Sequence, residues 1–198
     1  PALALDKAIA LTMATTAFKV SAQARNQANA QLAKALERVI QPDGGHVSRN
    51  ASRLVDIALD LVPLRMSLQS SRSPVPSALN AAIERIMPML RLLCMGDGGL
   101  ACLQGAAPRT EDMAALFSAD LSQGRPLSLA PHSGFGRLAF GDSVMVVDTG
   151  AAQDCKSTLG FEFSHGGQRI IISCSASEAG RKDWCDAMRR SAAHSTWD

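Results

Sequence analysis

The chain has 198 residues, 46% of them hydrophobic, and 20 Lys and Arg against 18 Asp and Glu leave a formal charge of +2. That apolar content excludes disorder and supplies a sizeable core, and the longest uncharged run near the start, Ala8 to Phe18, is too short to span a bilayer. Residues 1–100 carry +4 and residues 101–198 carry −2, so neither half has the basic field of a dedicated nucleic-acid binder.

The first hundred residues read as helix. Leu3 to Phe18 is Ala-rich, and from Ala22 to Ile40 the residues Ala28, Leu32, Ala35, Leu36 and Val39 recur at three- and four-residue spacing, one buried stripe. Gln41-Pro42-Asp43-Gly44-Gly45 ends that helix with breakers. A third helix starts near Asn50 or Ser52 and carries Leu54, Val55, Ala58, Leu61 and Val62, with Pro63 expected to end or kink it. Gln69–Pro76 reads as loop. A fourth helix presents Leu79, Ile83, Ile86, Met87 and Leu90, with Pro88 as an expected kink. Two antiparallel helix pairs fit a helical bundle or an α/α toroid equally.

At Gly96-Asp97-Gly98-Gly99 the texture changes to glycine clusters and short apolar runs. A short helix from Thr110 suits the acidic Glu111 and Asp112. Four strand-length runs follow, Arg137–Phe140, Ser143–Asp148, Leu159–Ser164 and Arg169–Cys174, and the last two flank a Gly-rich turn. The fold class is therefore α+β, helices first and antiparallel sheet second, with no internal repeat at a solenoid period. The boundaries expected are a helical domain over 1–95, a linker with a short helix over 96–135, and a sheet domain over 136–198.

The chain has no tyrosine, so a mechanism that needs a phenol must find it elsewhere. The five cysteines form no C-x-x-C pair and read as small buried hydrophobes. Asp56 and Asp60, flanked by Arg53 and Arg65, read as a solvated face. The densest polar cluster at a helix boundary is Asp43-Gly44-Gly45-His46-Val47-Ser48-Arg49-Asn50. Its two glycines would let backbone approach a ligand on which imidazole, guanidinium and carboxamide converge. Equally, the glycines are a C-cap, Asn50 an N-cap and the rest solvated loop. His132 sits in a Gly/Pro-rich loop, His165 in a hairpin turn, and His194 where a further strand would begin.

Four stretches together resemble the heparinase II/III family of polysaccharide lyases, particularly its alphaproteobacterial members. They are Gln41–Asn50; Met87-Pro88-Met89-Leu90-Arg91 with Gly96-Asp97-Gly98; Gly124-Arg125-Pro126-Leu127 through Ala130–Gly134; and Phe161-Glu162-Phe163-Ser164 with Ala192–Thr196. The resemblance implies an α/α toroid followed by the start of an antiparallel β-sandwich, and β-elimination at a uronic acid. It puts His46 and His194 in catalytic places, and Arg49, Asn50, Arg53 and His132 where substrate binds. Arg53 stands where the family often has a tyrosine. Cys155-Lys156 stands where relatives carry a metal-binding histidine segment, so no metal and no cofactor are expected. The implied partner is an acidic polysaccharide, with no nucleic acid or membrane, and the implied compartment is the periplasm or cell envelope. The alternative is a catalytically inactive, carbohydrate-binding or structural relative.

A chain that opens at Pro1 in mid-helix reads as an internal piece of a longer protein. Alone, it is expected to be inactive and marginally stable, because stripes such as Leu32, Leu36 and Val39 would lack partners, at about 1.5–3 kcal/mol for each Leu or Ile left exposed. Calorimetry with light scattering on the isolated chain checks this: self-association is expected, and a sharp cooperative melt from a monomer contradicts it.

Overall fold

Two helices open on side-chain caps in the computed structural model, which describes residues 2–18, 20–120, 124–151, 159–174 and 182–196. After α1 (Ala2–Ala17), Ser21 accepts a hydrogen bond from the Ala24 backbone at 3.1 Å and opens α2 (Ala22–Val39). The residues buried on α2 are the predicted stripe, Ala28, Leu32, Ala35, Leu36 and Val39. Asn50 caps α3 (Ala51–Ser70), its Oδ1 accepting from the Ser52 amide at 2.9 Å. Helix α4 (Ser77–Leu93) buries Leu79, Ile83, Ile86, Met87 and Leu90 as expected, and Met89, Leu92 and Leu93 besides.

Neither internal proline ends its helix. A mid-helix proline costs about 3 kcal/mol. Leu61, Val62, Leu64 and Leu68 are buried on both sides of Pro63, and each contributes about 1.5–3 kcal/mol, so packing outweighs the lost hydrogen bond.

The backbone uses one device twice, although no repeat is apparent at a solenoid period. After α2, Gln41 N donates to Gly45 O, Gly44 N to Gln41 O, Val47 N to Val39 O, and Gly45 N to the Asp43 carboxylate. After α4, Met95 N donates to Gly99 O, Gly98 N to Met95 O, Ala101 N to Leu93 O, and Gly99 N to the Asp97 carboxylate. Bridges Ile40–His46 and Cys94–Leu100 close the two turns. Gly44 and Gly98 take matching left-handed angles, φ +89° and +83°. Each Asp-Gly-Gly turn hands the chain on to another helix, the second through a 3₁₀ turn (Leu103–Gly105) to α5 (Thr110–Ala119).

Five antiparallel strands follow in simple sequential order: β1 (Leu129–Ala130), β2 (Phe135–Phe140), β3 (Ser143–Asp148), β4 (Phe161–His165) and β5 (Gln168–Ile171). The β4–β5 hairpin is the one expected, with Gly166 and Gly167 both at positive φ between the paired His165 and Gln168. Period-two alternation puts Phe135, Val144, Val146, Asp148, Glu162 and Ser164 on a buried inner face. Leu138, Phe140 and Ile170 stand on the outer face, Phe140 at 90% exposure. A short helix α6 (Lys182–Met188) and a 3₁₀ turn (Ser191–Ala193) precede His194, where a further strand was expected to begin. Cys155-Lys156 and Trp197-Asp198 lie outside the described residues.

One apolar cluster runs from Leu5 on α1 to Val146 on β3, so the sheet packs on the helices without a break in the core. Arg137 of β2 donates through Nη1 to the Leu92 carbonyl at 3.0 Å and to that of Cys94, where α4 ends. Gly44 is the tightest point of the first turn: a Cβ there would lie 2.0 Å from the Arg85 carbonyl oxygen of α4. Gly44→Ala should therefore cost more than the about 1–2 kcal/mol of a left-handed alanine, whereas Gly141→Ala, at φ +54° in open space, should cost only that. Urea midpoints of the two variants check the contrast.

Candidate functional site

Two chain segments far apart in sequence meet at the first Asp-Gly-Gly turn. Asp43 Oδ2 accepts from the Ser133 amide at 2.7 Å, and its Oδ1 from the Ser133 hydroxyl at 2.5 Å and the Gly45 amide at 3.3 Å. Burial pushes the Asp43 carboxyl up, but the Ser133 hydroxyl, the Ser133 amide and further backbone donors outweigh it and hold the group below its usual range. Gly45 makes the approach possible, since a Cβ there would sit 1.9 Å from Ser133 Oγ. The glycines expected to let backbone approach a ligand thus serve approach to α4 and to the β1–β2 loop.

Arg49 was expected to face an anionic substrate; the structure buries it to 5% exposure between helices and sheet. Its Nε donates to Ser133 O at 2.7 Å, Nη2 to Gly134 O at 3.0 Å, and Nη1 to Ala151 O. Nη2 also pairs with Asp148 Oδ1, and the guanidinium carbon lies 4.8 Å from the Phe135 ring centroid. Asp148 is fully buried at the end of β3, and its second oxygen accepts from Gln104 Nε2 at 2.6 Å. Arg49 and Gln104 are both non-glycine residues in the left-handed region, φ 58° and 52°. Each follows one of the two Asp-Gly-Gly turns, and both reach the same carboxylate. The physical reason is that four of the five guanidinium N–H donors are taken by acceptors of the protein itself, so Arg49 joins helices and sheet.

His46 is half-buried beside this clamp. Its Nδ1 lies 2.7 Å from Ser48 Oγ and accepts from the Ser48 amide at 3.1 Å. Burial, and then the positive charge of Arg53, push the imidazole below its usual range, so it is neutral at pH 7. Arg53 is exposed in the first turn of α3, and His132 is exposed on the loop whose backbone donates to Asp43. Asn50 is committed to capping α3 and to Gly105 O, 3.3 Å from its Nδ2, which answers the substrate expectation with the N-cap.

His194 reaches this end of the molecule through the sheet. Phe161 N donates to Ser195 O at 2.9 Å and Cys174 N to Ala193 O at 3.0 Å, so residues 193–195 lie beside the start of β4. Asp148 N donates to Gly160 O at 2.7 Å, which puts the end of β3 at that same edge. The His194 ring nitrogens are shielded from solvent, and burial pushes the group below its usual range against an opposing hydrogen bond with the Met188 backbone. What His194 and His46 share is the Asp148 end of the sheet.

A second charged staple serves the other Asp-Gly-Gly turn. Arg169 of β5 grips Asp97 through Nε at 2.7 Å and Nη2 at 3.1 Å, donates to Leu100 O at 2.8 Å, and lies 3.3 Å from the buried Glu162. Glu162 Oε1 accepts from the amides of Cys102 and Ser173, each at 3.0 Å, while burial pushes its carboxyl up. The Cys102 thiol is pushed up to about 12 by burial and then by Glu162, so it is an inert packing group. Cys94 is half-buried, whereas Cys174 is exposed and departs from the buried-hydrophobe expectation. Among the described residues no cluster of three His, Cys, Asp or Glu could hold a metal, and no helix is long and apolar enough to cross a membrane.

Residues 122–197 match the family model described as heparinase II/III-like, C-terminal. Over that segment the chain is similar to heparinase II/III-like proteins. The fold agrees: heparan sulfate lyase HepC from Pedobacter heparinus superposes with a TM-score of 0.76 at 15% identity, over 97% of this chain and 36% of that one. A heparinase III superposes with a TM-score of 0.72 at 16% identity, over 96% and 35%. FtsZ-localized protein C of Caulobacter vibrioides (strain NA1000 / CB15N) is 30% identical over 184 residues, 88% of this chain and 32% of that protein. The chain thus spans about a third of the length of the relatives it matches.

Asp43, Ser48, Ser133, Asp148, Gln104, Asp97 and Arg169 organise the site; the sequence marks Asp43 and Ser48 only as members of the 43–50 cluster and gives none of the seven a role. The repeated Asp-Gly-Gly at 43–45 and 97–99 was the available signal. Arg49→Met should leave Asp148 buried and unpaired, at a cost of about 3–5 kcal/mol. Asp56→Ala, which removes the exposed partner of Arg109, should cost at most about 1 kcal/mol. Denaturant unfolding of the whole protein carrying either change checks the ranking.

Proposed function

We propose that the whole protein acts on a uronate-containing polysaccharide by β-elimination, and that this chain supplies part of its substrate cleft. In this reading residues 1–95 are the last helices of an α/α toroid, 96–135 a linker, and 136–198 the opening of a β-sandwich. The twice-used helix–turn–helix device supports the toroid, and the apolar outer face of the sheet, with Leu138 and Phe140, supports a second layer over it. β-Elimination requires the substrate carboxylate to be neutralised, the adjacent carbon-bound proton removed, and the leaving glycosidic oxygen protonated. His46 and His194 are the groups assigned to this chemistry, with Arg53 and His132 lining the approach. The observation that carries the reading is the meeting of the His46 turn, the Asp148 end of β3 and the 193–195 segment at one edge of the sheet. The family resemblance supports a location in the periplasm or cell envelope.

A specific observation favours a second reading. The resemblance implies a phenol where Arg53 stands, the chain has no tyrosine, and a 30% identical relative is an FtsZ-localized protein. A non-catalytic, heparinase-fold protein that associates with the division apparatus would fit these facts. Whole protein incubated with heparin, heparan sulfate and alginate separates the two. The lyase reading expects unsaturated products absorbing in the ultraviolet, lost by roughly 100-fold or more in His46→Ala. No product across the panel, with co-sedimentation on FtsZ polymers, overturns it in favour of the second.

A further inference from the structure

The contacts of His46 define which of its nitrogens carries the proton. A backbone N–H can only donate, and the Ser48 amide points at His46 Nδ1 from 3.1 Å. Nδ1 is therefore an acceptor, and a proton on it would face the amide hydrogen directly. The Ser48 hydroxyl, 2.7 Å from the same nitrogen, completes the clamp by donating its own proton. Ser48 Oγ is itself held by the Asn50 amide at 3.4 Å, inside the cap of α3, so the clamp is anchored to a helix. Nε2 has no hydrogen-bond partner among the described residues and is not sealed from solvent.

We infer that Ser48 is a positioning residue that locks His46 as an Nε2–H donor, so that His46 binds an acidic group of the ligand and leaves proton abstraction to another group. The inference rests on the proposed reading that His46 faces the substrate. A neutral imidazole with its proton on Nε2 has no free lone pair toward the ligand, so it cannot take the carbon-bound proton. It can donate one hydrogen bond to a carboxylate or sulfate oxygen, and the exposed Arg53 lies close enough to act electrostatically on the ring. Ligand chemistry at this point is thus anionic oxygen.

The test is the tautomer itself, read from long-range proton–nitrogen correlation spectra of the whole protein labelled at histidine. His46→Gln identifies the signal among those of the other histidines. At pH 7 the ring should show the single Nε2-protonated pattern; an Nδ1-protonated or doubly protonated ring overturns the inference. Ser48→Ala should replace that pattern by a mixture of tautomers and weaken binding of a glucuronate-containing oligosaccharide about tenfold, and Ser48→Thr should restore both. An unchanged pattern in Ser48→Ala overturns the role of Ser48. Oligosaccharide that binds without moving the Nε2–H signal overturns the role of His46. A locked Nε2–H tautomer in a protein with no turnover sinks the lyase reading and leaves the lock standing.

Discussion

The buried pairing of Arg49 with Asp148 is the constraint on which the arrangement depends. Asp148 has no exposed surface, and a carboxylate taken from water costs several kcal/mol unless its lone pairs are met. Arg49, Gln104 and the Gly150 amide meet them together. Two of these three donors come from helical turns and the acceptor from a strand, so the carboxylate is satisfied only when helices and sheet are docked. The left-handed backbone at Arg49 and Gln104 costs on the order of 1–3 kcal/mol each, and the shared carboxylate supplies the compensating interaction.

That docking is also what shapes the site. Asp43 ties the turn before His46 to Ser133, and Arg49, three residues after His46, ties the chain to Gly134 and Asp148. His46 lies between two anchors on the sheet side, and Ser48 orients its ring from within the same segment. The Arg169–Asp97 staple repeats the logic for the second turn, with the cation now on the strand and the carboxylate on the turn. Charge, rather than apolar contact, selects how the two halves register, because a buried cation tolerates few alternative positions.

The sequence makes the helical stripes legible because each obeys a local rule: α2 and α4 bury the residues their period indicates. Strands β2 to β5 were legible from alternation and glycine turns, while β1, two residues long, leaves no pattern to read. Pro63 does not end α3 because the burial on either side of it outweighs the local penalty. Asn50 was readable as a cap, since capping is a property of three neighbouring residues. Arg49 was not, because Asp148 is 99 positions away and nothing local marks the partner. The Asp-Gly-Gly duplication is a weak signal in the sequence, because the turns share only three residues and the rest of the device is backbone.

If the buried charges fuse helices and sheet into one cooperative unit, amides of both should be released from protection together. Native-state hydrogen exchange on the whole protein reads this directly, comparing amides of α3 and α4 with those of β3 and β4. The account predicts one common opening free energy for the two groups, and earlier opening of the strand amides once Arg49 is replaced by Met. Strand amides that already open several kcal/mol below the helical ones in the unaltered protein, and stay unmoved by the loss of Arg49, would contradict it.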